Sequence, residues 1–242
     1  MVDGVKDWFA KGAATYDVSE GFMFEPATIE RTVDVLEELA GGGRALELAI
    51  GTGRIGLPLA RRGVEVHGID LSGPMVEQLR AKPGGPEIPV TIGDMTSVRV
   101  DGAFRLVYLV FNTIENLITQ EAQVACFENA ARHLEPGGVF VIEVNIPELR
   151  RLPPGERFVT FHVGESHVGV DEYDVATQGL VSHHVTARGK ASVPFRYVWP
   201  AELDLMARIA GLRLRDRWQD WDRAPFTNES TKHISVWEKP AA

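Results

Sequence analysis

Glu47, Arg54, Asp70 and Asp94 are the side chains in the first half of the chain best placed for ligand chemistry. The first two flank a glycine cluster in RALELAIGTGRIG, residues 44–56. Gly51 and Gly53 let the backbone approach a ligand closely, and a helix opening behind them favours negative charge. Glu47 opposes a pyrophosphate at this place but suits an ammonium or a sulfonium, and Arg54 suits a carboxylate. A zwitterionic amino-acid tail matches the pair better than two phosphates do. Asp70 follows the glycines by about 20 residues, where a carboxylate can accept hydrogen bonds from ribose hydroxyls. Asp94, in IGDM, can accept one from an adenine amino group. Each feature also has a plainer alternative. The glycines could make a turn without ligand, Glu47 could satisfy loop amides, Asp70 could cap a helix, and Asp94 could stabilise a turn.

These residues need strands that end together. ALELAI, VEVHGID, IPVTIGDM, FRLVYLVFN and VFVIEVN read as strands, with helices at LPLARR, MVEQLRAK and EAQVACFENAARHL between them. The last of these helices is expected to end at EPGG. FRLVYLVFN is nearly all apolar, as a strand buried on both faces should be. The alternation predicts an α/β fold with a parallel sheet and right-handed crossovers. Gly51, Asp70, Asp94, Asn112 and Asn145 then fall at C-terminal strand ends, where open parallel sheets bind ligands. Upstream, VKDWFAKGAATYD suggests a short amphipathic helix. EPATIERTVDVLEELAGGG is a clearer one, with Pro26 in its first turn and Gly41 at its end.

After Asn145 the rhythm changes. RFVTFHV, HVGVDEYDV, LVSHHVTA and VPFRYVW follow one another without helices and predict an antiparallel addition. A helix at PAELDLMARIAG and strands at LRLRDRWQDW and HISVWEK complete the chain. The expected organisation is a helical lid over 1–43, a core over 44–146 and 200–242, and a β-rich cover over 147–199.

Composition limits the function. The chain has 242 residues, 44% hydrophobic and 24% charged, which fits one large soluble domain. A net charge of −9 without a basic run disfavours nucleic acid and anionic membranes as partners. In the cover, Arg150, Arg151, Arg157, Arg188, Lys190 and Arg196 are matched by as many acids, so no basic groove is expected. The lone Cys126 reads as a packing residue. No secretory signal or membrane-length apolar run is legible, so a cytoplasmic protein is expected. His183 and His184 are adjacent in a strand and point to opposite faces, so no metal site is expected.

The ordered set LELAIGTG, GIDLSGPM, IGDM, FRLVYLVFN, LEPGGVFVIEV and HISVWEK resembles the class I, Rossmann-like S-adenosyl-L-methionine-dependent methyltransferases, over roughly residues 44–145 and 200–238. The resemblance implies a Rossmann-like parallel sheet with an antiparallel final strand. S-adenosyl-L-methionine would be the methyl donor and S-adenosyl-L-homocysteine the product. Glu47, Gly51 and Gly53 would line the methionine portion with Arg54, and Asp70 and Leu71 the ribose. Asp94 and Met95 would meet the adenine, the latter through its backbone. Phe111 and Asn112 would lie near the sulfonium, and Tyr16 resembles a lid tyrosine at the amino-acid tail. Two departures from the pattern stand out. Ala49 and Ile50 replace the usual glycine and small residue, and Arg105 replaces an acid before strand four.

The acceptor side is less specified. Glu143 and Asn145 share one face at the end of strand five. Glu143 is the charge in an apolar run and is expected to act as a base or an anchor for a substrate amine or hydroxyl. His162, Tyr173, His183 and Tyr197 are candidate pocket residues for a small organic acceptor, natural-product or sugar-like, methylated on N, O or C. A monomer or homodimer is expected. A nicotinamide-dependent oxidoreductase would share the glycines and Asp70 but gains nothing from Glu47. A non-catalytic cofactor-binding module is the other alternative. Binding tests with the two cofactors and a methyl-transfer assay separate the three.

Overall fold

The computed structural model describes residues 10, 12–18, 22–187 and 189–241. The expected helix over VKDWFAKGAATYD lies largely outside them. Its described end, Ala13–Val18, is a 3-10 turn, and a second such turn spans Phe22–Phe24.

Helix α1, Pro26–Ala40, begins on Pro26 and ends at Gly41, whose φ of 54° turns its N–H back onto the Glu37 carbonyl. Strand β1 (Ala45–Leu48) leads through the glycine turn to α2 (Gly56–Arg61). Then come β2 (Val66–Asp70), α3 (Gly73–Arg80), β3 (Val90–Ile92), β4 (Phe104–Leu109), α4 (Gln120–His133) and β5 (Leu134–Asn145). Ser72 caps α3 by accepting from Met75 N at 3.4 Å, and Thr119 caps α4 by accepting from Ala122 N at 3.1 Å. Strands β6 (Phe158–Val163), β7 (His167–Asp174), β8 (Gly179–Thr186) and β9 (Gly189–Arg196) follow, then α5 (Pro200–Ile209), β10 (Arg213–Trp218) and β11 (Lys232–Glu238).

The main sheet has seven strands in the order β10-β11-β5-β4-β1-β2-β3. Strands β1 to β5 pair in parallel, and β11 runs antiparallel to both its neighbours. The order reverses beside β1, which places the ligand crevice at its C-terminal end. Period-two alternation divides the strands between two cores. Leu46, Val107, Phe140 and Ile142 pack with Phe127 of α4 and Leu203 of α5 on one face. Leu106, Tyr108, Val139 and Val141 pack with Val33 and Leu36 of α1 on the other. Cys126 lies in the first core, where burial raises its thiol above the usual range.

Two boundaries differ from the expectations. β5 begins at Leu134, so EPGG lies within the strand, with a register shift opposite Phe104–Leu106. A Cβ on Gly138 would come 2.9 Å from the Phe104 carbonyl, so the glycine permits this close return. β9 begins at Gly189 rather than Val193, and its Pro194 is tolerated because β9 is an edge strand.

Strands β6 to β9 form a separate antiparallel sheet. A buried polar cluster fastens it to the core. Arg196 of β9 donates to Gln123 of α4, to Glu202 Oε1 of α5 at 2.7 Å, and to Gln178 at 3.1 Å. Gln178 in turn donates to Glu202 Oε2 at 2.8 Å. Every member finds partners, so the cluster fixes how the second sheet sits on the first.

Candidate active site

A cavity of about 1020 Å³ opens at the C-terminal end of β1, between the glycine turn and the second sheet. That is at the upper limit of the ~300–1,000 Å³ usual for small-ligand sites. It has two chemically different ends.

The glycine end is built around two acids. Glu47 and Tyr108 are direct partners across β1 and β4, and the phenol donates to Glu47 Oε2 at 3.0 Å. The Gly56 N–H also bonds this carboxylate, and a Cβ on Gly56 would come 2.6 Å from Glu47 Oε2. The third glycine of the cluster thus makes room for the acid. Burial pushes the Glu47 carboxyl up to about 8, with Arg54 opposing the rise. Glu47 satisfies a loop amide and also lines the cavity. Asp70 accepts from Gly51 N at 2.6 Å and from Ser72 N at 2.7 Å. Burial raises its pKa and these bonds hold it down.

The glycines differ in purpose. Gly51 has φ 57° and lines the cavity. Gly53 has φ 77°, and a Cβ there would meet Leu79 Cδ1 at 2.4 Å, so it answers to packing. Ala49 adopts φ 55° without being glycine. The N-terminal segment closes over this end. Thr52 Oγ1 donates to Asp17 Oδ1 at 2.6 Å, while Lys82 Nζ pairs with Asp17 Oδ2 at 2.6 Å and donates to the Thr52 carbonyl at 2.7 Å. Arg54 donates to the Met23 carbonyl at 3.0 Å, and Tyr16 lines the cavity with its ring edge-on to Phe24.

Between the two ends lies a strained turn. Phe111 and Asn112 follow β4 with φ of 57° and 59°. Asn adopts this region readily, but a bulky residue rarely does. Glu143 holds the turn. Its Oε2 accepts from Phe111 N at 3.2 Å, its carbonyl from Asn112 N at 3.0 Å, and its Oε1 is 3.2 Å from Lys232 Nζ. Asn112 Oδ1 accepts from Asn145 N at 2.7 Å. The guanidinium of Arg54 lies 5.5 Å from the Phe111 ring centre.

The far end is walled by one face of the second sheet. Cross-strand pairing puts Asp171 opposite Ser182 and Tyr173 opposite Leu180, and all four line the cavity. A bulge between Thr160 and His162 lets the consecutive residues Phe161 and His162 both reach it. His167 and His184 stack at 5.2 Å, with Nε2 and Nδ1 3.0 Å apart. From the core side comes Glu115, in the turn Thr113–Asn116 behind Asn112. Burial, with Asp171 nearby, pushes its carboxyl up to about 8.

Most of the expected residues meet in this cavity: Tyr16, Glu47, Gly51, Arg54, Asp70 and Leu71 at one end, Phe111, Asn112 and Asn145 in the middle, and His162, Tyr173 and Tyr197 at the other. Five do not line it: Gly53, which packs against Leu79 and Leu57, and Asp94, Met95, Glu143 and His183. Asp94 gives Oδ1 to Thr96 N and Thr96 Oγ1 at 2.9 and 2.8 Å, and the Met95 carbonyl accepts from Asn129 at 2.9 Å. Glu143 anchors the Phe111 turn instead of facing the acceptor. His183 lies on the outer face of β8, bonded to Ser192 Oγ at 2.8 Å and Glu172 Oε2 at 3.2 Å, and its neighbour His184 takes the inner face. Glu115, Asp171, Ser182, His167 and His184 are additions from the structure. Asp171 had a sequence signal, because it shares the parity of Tyr173 along β7.

A Rossmann-like sheet with an acid before its glycine turn, a second acid ending β2 and a strained turn after β4 defines a nucleoside-cofactor transferase of the class I methyltransferase type. The comparisons agree. Residues 45–138 match a family described as methyltransferase domain. The CcbJ methyltransferase from Streptomyces caelestis has a similar structure, with a TM-score of 0.86 and 34% identity over 99% of this chain and 100% of that one. Cypemycin N-terminal methyltransferase from a Streptomyces species is 29% identical over 205 residues, covering 82% of this chain and 84% of its own. The fold is shared with S-adenosylmethionine-bound CalS10 from Micromonospora echinaspora, an amino pentose methyltransferase, at TM-score 0.67 and 19% identity over 95% and 96% of the two chains. The chain belongs to the S-adenosyl-L-methionine-dependent methyltransferases.

Proposed function

We propose that the protein transfers a methyl group from S-adenosyl-L-methionine to a small organic acceptor of natural-product or sugar-like type, held beneath the second sheet. One observation carries this reading. A single cavity joins an acid-flanked glycine turn to an enclosed wall of aromatic and polar side chains. Its volume admits two ligands side by side, and no stretch of its lining is basic enough to track a nucleic-acid backbone.

The residues present fit the donor. Glu47 suits its cationic portion, Arg54 its carboxylate, and Asp70 with Leu71 the ribose. Tyr16 closes the amino-acid end. When bound, the cofactor supplies a methyl group already attached to a good leaving group. The chain's contribution is therefore alignment and the exclusion of water. Phe111, fixed by Glu143 and flanked by Arg54, stands between the two ends of the cavity, where it would help orient the ligands. Asp94 and Met95 remain proposed for the adenine, Asp94 only with its Thr96 bonds exchanged. The similar cypemycin enzyme is named for an N-terminal acceptor, which agrees with a small or peptide-like compound.

Among the described residues no helix is long and apolar enough to cross a membrane. The same reading takes the protein to be cytoplasmic and a monomer or homodimer. Incubation with S-adenosyl-L-methionine and a panel of amine- and hydroxyl-bearing natural products tests the activity. Formation of S-adenosyl-L-homocysteine together with a singly methylated acceptor supports it. Cofactor binding with no product from any acceptor class favours the non-catalytic module.

A further inference from the structure

We propose that Glu115 and Asp171 form the acceptor-binding end of the cavity and select a compound through its protonated amine. This assignment rests on the methyltransferase reading above and adds the substrate class and the residues that recognise it.

Glu115 is only 9% exposed, yet its carboxylate has no hydrogen-bond or ion-pair partner among the described residues, and it lines the cavity. A buried carboxylate without a partner is costly unless a ligand supplies one. Asp171 reaches the same space from the opposite wall. Among the described residues its side chain bonds with Ser182, on the neighbouring strand. Two acids thus face each other from separate structural units, one on the turn after β4 and one on β7.

The surroundings do not neutralise them. Arg151, the guanidinium at this end of the lining, lies 3.8 Å from Glu148 Oε2 and is already paired. His184 carries a depressed pKa, because burial and the neighbouring imidazoles His167 and His183 disfavour its charge. His183 lies on the outer face, bonded to Glu172, and from there only partly offsets the effect of burial on Asp171. Tyr173 contributes a neutral phenol, raised by burial and by Asp171. A carboxylate- or phosphate-bearing group would be repelled here, whereas an ammonium would find up to two charge-assisted acceptors.

Two nearby carboxylates without a cation do not both ionise readily, so one of them keeps its proton. The elevated proton affinity of Glu115 agrees with that state. An entering ammonium takes the place of this proton, which leaves to solvent. Within the complex, the ammonium can then pass one of its own protons to a carboxylate oxygen. The nitrogen becomes a neutral amine with a free lone pair, the carboxylate becomes a carboxylic acid, and charge is conserved. A neutral amine is the form able to accept a methyl group, and a base with pKa near the working pH suits the transfer.

The test uses the full chain saturated with S-adenosyl-L-homocysteine, titrated with benzylamine and with benzyl alcohol by calorimetry or ligand-observed NMR. Benzylamine should bind about tenfold or more tightly than the alcohol, as one hydrogen bond to a charged group predicts. Glu115→Gln and Asp171→Asn should each remove most of this preference while leaving affinity for S-adenosyl-L-homocysteine unchanged. Two substitutions on separate elements guard against one failing to fold, which thermal melting reports. Equal binding of amine and alcohol to the wild type overturns the proposal, as does a preference that survives in both variants. Failure of S-adenosyl-L-homocysteine to bind at all is a different result, overturning the methyltransferase reading and this proposal with it.

Discussion

Replacing Glu143 separates an anchor from a catalytic base. In the structure this carboxylate accepts from Phe111 N at 3.2 Å and pairs with Lys232 at 3.2 Å, and it is absent from the cavity lining. Glu143→Ala removes a hydrogen bond to a charged acceptor, about 1.5–3 kcal/mol, and a partly exposed ion pair, at most about 1 kcal/mol. The sum is about 3 kcal/mol, or a fall in Tm of about 6–12 °C for a chain of this size. The left-handed Phe111, which costs about 1–2 kcal/mol to hold, is then released, and methyl transfer should fall with it. Glu143→Gln keeps an oxygen for the Phe111 N–H and loses only the ion pair. It should cost about 1 kcal/mol and retain most of the turnover. Differential scanning calorimetry gives the stabilities, and the rate of S-adenosyl-L-homocysteine formation gives the turnover. A Glu143→Gln variant with wild-type Tm and abolished turnover would refute the anchoring role and restore Glu143 as the base.

Three further outcomes follow from the geometry. Ala49→Gly should raise stability by up to about 1 kcal/mol, because φ 55° is strained for alanine, and should leave cofactor binding intact; a lower Tm contradicts this. Glu115, with a folded pKa of about 8 against an ordinary value near 4.3, keeps in the native state a proton that the unfolded chain has lost. Its contribution to stability is therefore full below pH ~4.3 and is lost as pH rises towards ~8, by at most about 1.4 kcal/mol per unit. His133, His184 and His233 have depressed pKa values from burial and act oppositely below about pH 6.5, so the comparison belongs between pH ~6.5 and ~8. Over that interval the Tm of Glu115→Gln should rise relative to wild type, and a constant difference between the two proteins contradicts the buried acid. Finally, His184→Ala should alter benzylamine binding while His183→Ala should not, since only His184 lines the cavity; identical effects would mean that the parity of β8 is misassigned.

The glycine end of the cavity was legible because it depends on local sequence. An acid before a glycine turn and another ending the next strand need only the strand–turn–helix order, and Glu47, Gly51 and Asp70 fall where that order puts them. The acceptor half depends on register between elements far apart in sequence. Nothing in HVGVDEYDV and LVSHHVTA says that Asp171 pairs with Ser182, or which of His183 and His184 turns inward. Glu115 sits in a turn whose direction follows from two left-handed residues that no periodicity announces. Glu143 stands out in the sequence as a charge in an apolar strand, but its partner Lys232 lies 89 residues away on β11, and only the folded sheet brings them together. Asp94 shows the reverse, a residue placed at the right strand end whose carboxylate is already taken by Thr96.

Calorimetric titration of the wild type and of Asp70→Ala with S-adenosyl-L-homocysteine, with NAD as the competing ligand, tests the assignment of the glycine turn most directly. The wild type should bind S-adenosyl-L-homocysteine and not NAD. The Asp70→Ala variant, confirmed as folded by its melt, should bind about 100-fold or more weakly, as the loss of two ribose hydrogen bonds to a charged acceptor requires. Preference for NAD, or unchanged affinity in the Asp70 variant, would contradict the account.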